Sequence, residues 1–301
     1  MKIPLLPLTL LAAGCASLPD GSVKSVNEYA KLSSAYTEYP VKVVQQCVDL
    51  KYEIDLVYAG TFDKDVLYEK LENSYQGKQQ ALANAEKLEQ SLRILDEYAR
   101  ALAALSSPDL GKNVEKSTES LGTNIEALIA TYNRLPDSLN RISPGVGTLL
   151  AAAVRRAGGR QVRSQQVKCL REYLTQGDAL VNTVTKSIQQ ELWTQVLQQW
   201  VPGFKRNLRA NQRLLLSRLP ATNAWYANEY ALKIAALIER IDKTEALAKE
   251  ALLSAQQLPV AHRALVQELN RKQTNAESLR EIQNLYNSVR ELTDLYKKLN
   301  G

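Results

Sequence analysis

Three cysteines and one histidine are the residues of this 301-residue chain whose types could support nucleophilic, redox or metal chemistry. They are far apart in the sequence, at Cys15, Cys47, Cys169 and His262. A zinc site needs clustered Cys or His ligands, and a Ser–His–Asp triad needs a histidine that acts as base. The sequence contains no CxxC, HExxH or GxSxG motif and neither of the common glycine-rich phosphate-binding motifs. We therefore predict no enzyme, no metal site and no cofactor.

His262 lies between Ala261 and Arg263, in the first turns of a helix that is predicted to begin after Pro259. Without a second histidine or a nearby cysteine, this position is typical of a solvated or core-edge histidine rather than a general base.

The first fifteen residues have the order of an export signal. Lys2 supplies a positive charge, residues 3–11 form a short apolar run, and the sequence LAAGC at residues 11–15 ends it with small residues. An apolar run of about nine residues is much shorter than the roughly 20 that a membrane-spanning helix needs. The segment resembles the signal peptide of bacterial lipoproteins, in which small residues precede a cysteine that is acylated. The resemblance implies removal of residues 1–14 and anchoring of the mature chain to a membrane through Cys15.

Ala16 and Ser17 follow this cysteine, and neither is the aspartate that retains lipoproteins of enteric bacteria in the inner membrane. The resemblance therefore implies a protein anchored in the outer membrane, with its body in the periplasm. Residues 15–22 are predicted to be the acylated cysteine and a short tether, and residues 23–301 an elongated helical domain.

Cys47 and Cys169 remain after acylation of Cys15, and both lie among regularly spaced apolar residues. Two alternatives stay open for this pair. In an oxidising compartment they form a disulfide, whose loop of about 120 residues would stabilise the fold by about 4 to 5 kcal/mol. Otherwise they are two inert, buried thiols.

Basic residues are concentrated between Arg155 and Arg218, where twelve Lys or Arg accompany only three Asp or Glu, although the net charge of the whole chain is +6. Four of them are spaced for one side of a helix and are called the basic ridge below: Lys205, Arg206, Arg209 and Arg213. One interpretation is a solvated face paired with acidic residues of a neighbouring helix. The other is an anion-binding surface, because arginine suits bidentate contacts with phosphate and carboxylate. Export to the envelope argues against nucleic acid as the anion.

The elements that must position these residues are long helices. Apolar residues recur at intervals of three and four, for example from Val43 to Val57 and from Tyr230 to Leu258, and no stretch alternates as a strand does. Such narrow, long apolar stripes indicate helices that pack side by side at shallow angles. We predict an all-α fold, an elongated bundle of long helices with coiled-coil-like packing.

Prolines are predicted to mark the helix boundaries, as at Pro108, Pro220 and Pro259. The stretch from Lys64 to Leu105 would be one rod of about 60 Å if unbroken. The Gly-, Pro- and Ala-rich residues 136–160 are predicted to be irregular. Within them, an Ala-rich segment is either a short buried helix or a mobile one that dips into a membrane.

These features favour a structural or protein-interaction module of the bacterial cell envelope, with envelope proteins as partners and Cys15 as the link to the membrane. The alternative is a protein that binds an anionic lipid or glycan through the basic region 155–218.

Overall fold

The structure, a computed structural model, describes residues 20–59, 64–107, 114–135, 141–143, 145–158, 163–218, 224–270 and 274–300. Cys15 and the rest of the predicted signal segment lie outside the described residues. The described part consists of helices joined by short connections, without strands, which confirms the prediction of an all-α bundle of long helices. The helices are α1 (Asp20–Tyr36), α2 (Tyr39–Ala59), α3 (Lys64–Asn84), α4 (Glu86–Ser106), α5 (Val114–Arg134), α6 (Val146–Gly158), α7 (Arg163–Gln190), a π-helix (Glu191–Trp200), α8 (Val201–Arg218), α9 (Ala224–Leu269) and α10 (Asn275–Asn300).

Helix α9 is the longest element, with 46 residues and a length of about 69 Å at 1.5 Å per residue. It packs against α10, which follows it after a short connection, and against α7, α2 and α1. The apolar positions predicted from Ile234 to Leu258 are buried, as are the predicted positions of α2. Small residues, among them Ala248, Ala251 and Ala255, form the middle of this stripe and allow the neighbouring helices to approach closely.

Pro259 does not end a helix, so the boundary predicted there is wrong. Helix α9 continues through it to Leu269. A proline has no backbone N–H, and the carbonyl four residues earlier, that of Ala255, therefore lacks its usual helical donor. The side-chain amide of Gln189 on α7 donates to this carbonyl at 2.9 Å and replaces the missing bond. A tertiary contact thus allows a proline inside a helix.

The stretch from Lys64 to Leu105, which would be one rod if unbroken, is divided into the helices α3 and α4 with Ala85 between them. The backbone N–H of Ala85 bonds to Leu82 three residues earlier at 3.1 Å, and Glu89 resumes four-residue bonding to Ala85 at 3.0 Å. No proline or glycine marks this position, so the sequence carries no boundary signal there.

Helix α6 is the short Ala-rich helix predicted within residues 136–160, and its residues Leu150, Ala151 and Ala153 are buried. The start of α6 is held by Glu126 of α5, whose carboxylate accepts from the backbone N–H of Gly145 at 3.0 Å and of Thr148 at 3.3 Å. A carboxylate at this end satisfies otherwise unpaired N–H groups. Gly147 is needed for this approach, because a Cβ there would lie 2.7 Å from the Glu126 backbone nitrogen.

Helix α1 begins at Asp20, so residues 20–22, which were predicted to belong to the tether, are already helical. The hydroxyl of Ser22 is buried and donates to the Glu268 carboxylate near the end of α9. The same carboxylate accepts from the Ser278 hydroxyl and from the Asn275 amide, the latter at 2.7 Å, both on α10. Glu268 therefore joins the beginning of α1 to the α9–α10 connection.

Candidate functional site

Lys205, the first residue of the basic ridge, is paired with two carboxylates of α9. Its Nζ lies 2.8 Å from Asp242 Oδ1 and 2.6 Å from Glu245 Oε2. The hydrogen bonds to these two carboxylates raise the pKa of Lys205. Lys205 therefore corresponds to the first of the two interpretations, a basic residue paired with an adjacent helix.

The other three residues of the ridge, Arg206, Arg209 and Arg213, are exposed on α8. Within the described part of the chain, none of the three forms an ion pair. Phe204 beside them is buried, so it anchors α8 to the bundle instead of joining the charged surface. The structure leaves a row of three arginines open to solvent.

Cys47 of α2 and Cys169 of α7 are both buried, and the structure describes them as thiols without a disulfide between them. Burial raises the pKa of the Cys47 thiol to about 12. A thiol that stays protonated and inaccessible is a poor nucleophile and a poor metal ligand.

His262 is fully buried in the interior of α9, and the prediction of a solvated or core-edge residue at the start of a helix is wrong. Its Nε2 lies 2.7 Å from the Tyr98 hydroxyl and its Nδ1 3.2 Å from Asp178 Oδ1. Burial lowers the pKa of His262, while the hydrogen bond from His262 lowers the pKa of Asp178. An ionised carboxylate can only accept, so Nδ1 carries the proton of the neutral imidazole and Nε2 accepts from Tyr98.

Tyr98, Tyr173, Asp178 and His262 together form the Tyr–His–Asp cluster, which joins α4, α7 and α9. The rings of Tyr98 and Tyr173 stack with centroids 5.0 Å apart, and the Tyr173 hydroxyl donates to the Tyr98 carbonyl at 3.2 Å. Gly177 provides the space for this arrangement, because a Cβ there would overlap the Tyr98 phenol. Burial raises the pKa of both tyrosines, so their hydroxyls remain protonated. With its imidazole sealed from solvent, the cluster acts as a polar link between three helices.

One sequence signal for this cluster existed. His262 continues the buried stripe of α9, since it stands four residues after Leu258 and three before Leu265, both fully buried. Continued through Pro259, the apolar spacing of α9 places His262 in the core.

A cleft of about 790 Å³ lies between α2, α3, α4 and the π-helix. Its size is that of cavities that hold small organic molecules. Apolar side chains and charged groups of both signs face it, among them Val44, Trp200, Lys87 and Glu191. Nothing in the sequence analysis predicted this cleft, because its walls come from four separate helices.

Two further properties hold for the described residues. They contain no group of three or more His, Cys, Asp or Glu side chains suited to a metal ion. None of their helices is both long enough and apolar enough to cross a membrane.

Comparison with known proteins found no matching family model, no matching curated protein and no matching solved structure.

Proposed function

We propose that this protein is a lipid-anchored interaction module of a bacterial outer membrane, attached through Cys15, with its helical body in the periplasm. The order of charge, apolar run, small residues and cysteine at residues 2–15 supports the anchor. Acyl chains would each add about 0.8 kcal/mol of membrane affinity per buried CH₂. The proposed partners are envelope proteins.

The short distance between anchor and body supports the same proposal. Helix α1 starts five positions after Cys15, and its first turn is bonded through Ser22 to Glu268. A chain held in this way would keep the end of the bundle at Ser22 and Glu268 close to the membrane surface.

The proposed contact surface for a protein partner is the outer face of α3. Tyr68, Tyr75 and Leu82 follow one another at intervals of seven and are 79%, 52% and 38% exposed. Residues seven apart lie on one side of a helix. Exposed tyrosines are common at protein interfaces, because the ring supplies apolar area and the hydroxyl a polar contact. We therefore assign this face to a protein partner.

The anchor is tested by replacing Cys15 with Ser in intact cells. We expect the variant to lose labelling by a palmitate analogue and to leave the membrane fraction. A Cys15→Ser protein that stays in the membrane fraction with unchanged electrophoretic mobility would refute the anchor.

The interaction face is tested by a photo-crosslinking amino acid at position 75, with position 283 on the exposed side of α10 as control. We expect a discrete adduct from position 75 only, and we expect Tyr68→Glu to abolish it because a charge would enter the contact. Equal adducts from both positions, or an adduct that persists with Tyr68→Glu, would contradict the assignment.

The exposure of Arg206, Arg209 and Arg213 favours a second function, the binding of an anionic lipid or glycan. We expect the purified chain to bind vesicles that contain phosphatidylglycerol, and binding to weaken as salt is raised. Replacement of the three arginines by Ser should abolish it, whereas Lys205→Ser should have a smaller effect because Lys205 is already paired. Equal binding to vesicles of phosphatidylcholine alone would count against this function.

A further inference from the structure

The ten residues from Glu191 to Trp200 form a π-helix inside an otherwise α-helical stretch that runs from Arg163 to Arg218. Its hydrogen bonds join residues five apart, as between the Val201 N–H and the Val196 carbonyl. Most π-helical segments are single turns, and they occur frequently at functional sites. The stretch therefore requires an explanation.

The π-helix changes which side chains share a face. It has about 4.4 residues per turn, whereas the α-helix has about 3.6. Residues four and then five apart align in a π-helix, and Leu192, Val196 and Val201 follow this spacing on the buried side. The same spacing places Glu191, Gln195 and Trp200 beside them, and all three line the cleft. In an α-helix, Trp200 would lie about 180° around the axis from Glu191.

The opposite walls of the cleft combine apolar side chains with polar and charged ones. Helix α2 contributes Val44 and Val48, and α4 contributes Leu88. Val48 and Leu88 are almost completely buried, so the accessible contacts for the hydrocarbon part of a ligand are Val44 and the partly exposed indole of Trp200.

Glu191 places a carboxylate in this cleft. It is half-buried, and no described residue donates a hydrogen bond to its carboxylate or forms an ion pair with it within 4.0 Å. Burial raises its pKa, and the charge of Lys87 across the cleft lowers it only in part. The second lysine of the cleft is Lys51. Its Nζ lies 2.5 Å from Asp55 Oδ2, so its positive charge is paired with that carboxylate.

We propose that this cleft binds a small molecule that carries a primary ammonium group on an apolar chain, with the ammonium on Glu191 and the chain between Trp200 and the α2 wall. An ammonium would supply the hydrogen-bond donors that the fold does not provide for this carboxylate. The indole adds cation–π and apolar contact. The π-helix is required because it turns the carboxylate and the indole toward one space.

The test is isothermal titration calorimetry of the purified full-length chain with hexylamine, 1-hexanol and hexanoate, which share one chain length and differ in charge. We expect hexylamine to bind about tenfold or more tightly than the other two, and Glu191→Gln to remove that preference. Trp200→Leu should weaken hexylamine binding by about threefold.

Two control variants separate this site from general effects. Glu229→Gln removes an exposed negative charge on α9, and Trp193→Leu removes the other indole of the π-helix, which is 51% exposed and does not line the cleft. Both should leave hexylamine binding unchanged. The proposal is overturned if hexylamine does not bind at millimolar concentration, if hexanol or hexanoate binds equally well, or if Glu191→Gln binds hexylamine as the parent chain does.

Discussion

The bond from Gln189 to the Ala255 carbonyl explains how α9 passes through Pro259, and it can be tested quantitatively. Ala255 is fully buried, so removal of its donor leaves an unsatisfied carbonyl in the core. Such a group costs about 1 to 3 kcal/mol. We expect Gln189→Met, which keeps the length of the side chain, to lower the free energy of unfolding by about 2 kcal/mol.

The same substitution should cost much less when residue 259 has a backbone N–H. In the Pro259→Ala background, the new amide can donate to the Ala255 carbonyl four residues earlier, as in any α-helix. We expect Gln189→Met to cost about 0.5 kcal/mol there, so that the coupling energy of the pair is about 1.5 kcal/mol. Pro259→Ala alone should raise the free energy of unfolding, since proline is about 3 kcal/mol less favourable than alanine in a helix interior.

The assay is urea unfolding followed by circular dichroism for the parent, the two single variants and the double variant, with equal m-values as a requirement. Gln256→Met serves as control, because Gln256 is an exposed glutamine of α9. Equal costs of Gln189→Met in both backgrounds, within about 0.5 kcal/mol, would refute this explanation of the continuous helix.

Three further predictions concern the buried groups. Burial lowers the pKa of His262 in the folded state, so the unfolded chain takes up a proton at a higher pH than the folded chain does. The free energy of unfolding should therefore fall as the pH drops below about 6.5, by up to about 1.4 kcal/mol per pH unit. Urea unfolding at pH 7.5, 6.5 and 5.5 should show this slope in the parent and a smaller one in His262→Gln, and identical slopes would contradict it. Gly177→Ala should lower the free energy of unfolding by about 2 kcal/mol, because its Cβ would overlap Tyr98, which bonds to His262. Gly203→Ala on α8 is the control: its Cβ would have nothing within 4 Å, and it should raise the free energy of unfolding by up to about 1 kcal/mol. Cys47 and Cys169 should react with a thiol reagent only after unfolding and should give the same thiol count with and without prior reduction, whereas two additional thiols after reduction would demonstrate a disulfide.

The helices were predictable because their signal is local. The apolar spacing of α2 and α9 depends only on which residues lie within a few turns of each other, and the structure buries the stripes where the sequence indicates them. Boundaries were less predictable. Pro259 predicts the end of a helix, but α9 continues through it because Gln189 of α7 donates to the carbonyl that the proline leaves unpaired. At Ala85, by contrast, the boundary between α3 and α4 occurs without a proline or glycine.

By itself, the sequence determined the all-α class, the buried helix faces and the concentration of positive charge, since these depend on residue type and on spacing along the chain. Only the tertiary structure decided which groups meet. It paired Lys205 with carboxylates about 40 positions away, enclosed His262 between Tyr98 and Asp178, and turned Trp200 toward the same cleft as Glu191. The physical reason is that the burial of a side chain and its distance from a partner on another helix depend on how the helices pack. The period of a single helix shows which of its faces is apolar, but it does not show which charged group of another helix lies opposite that face.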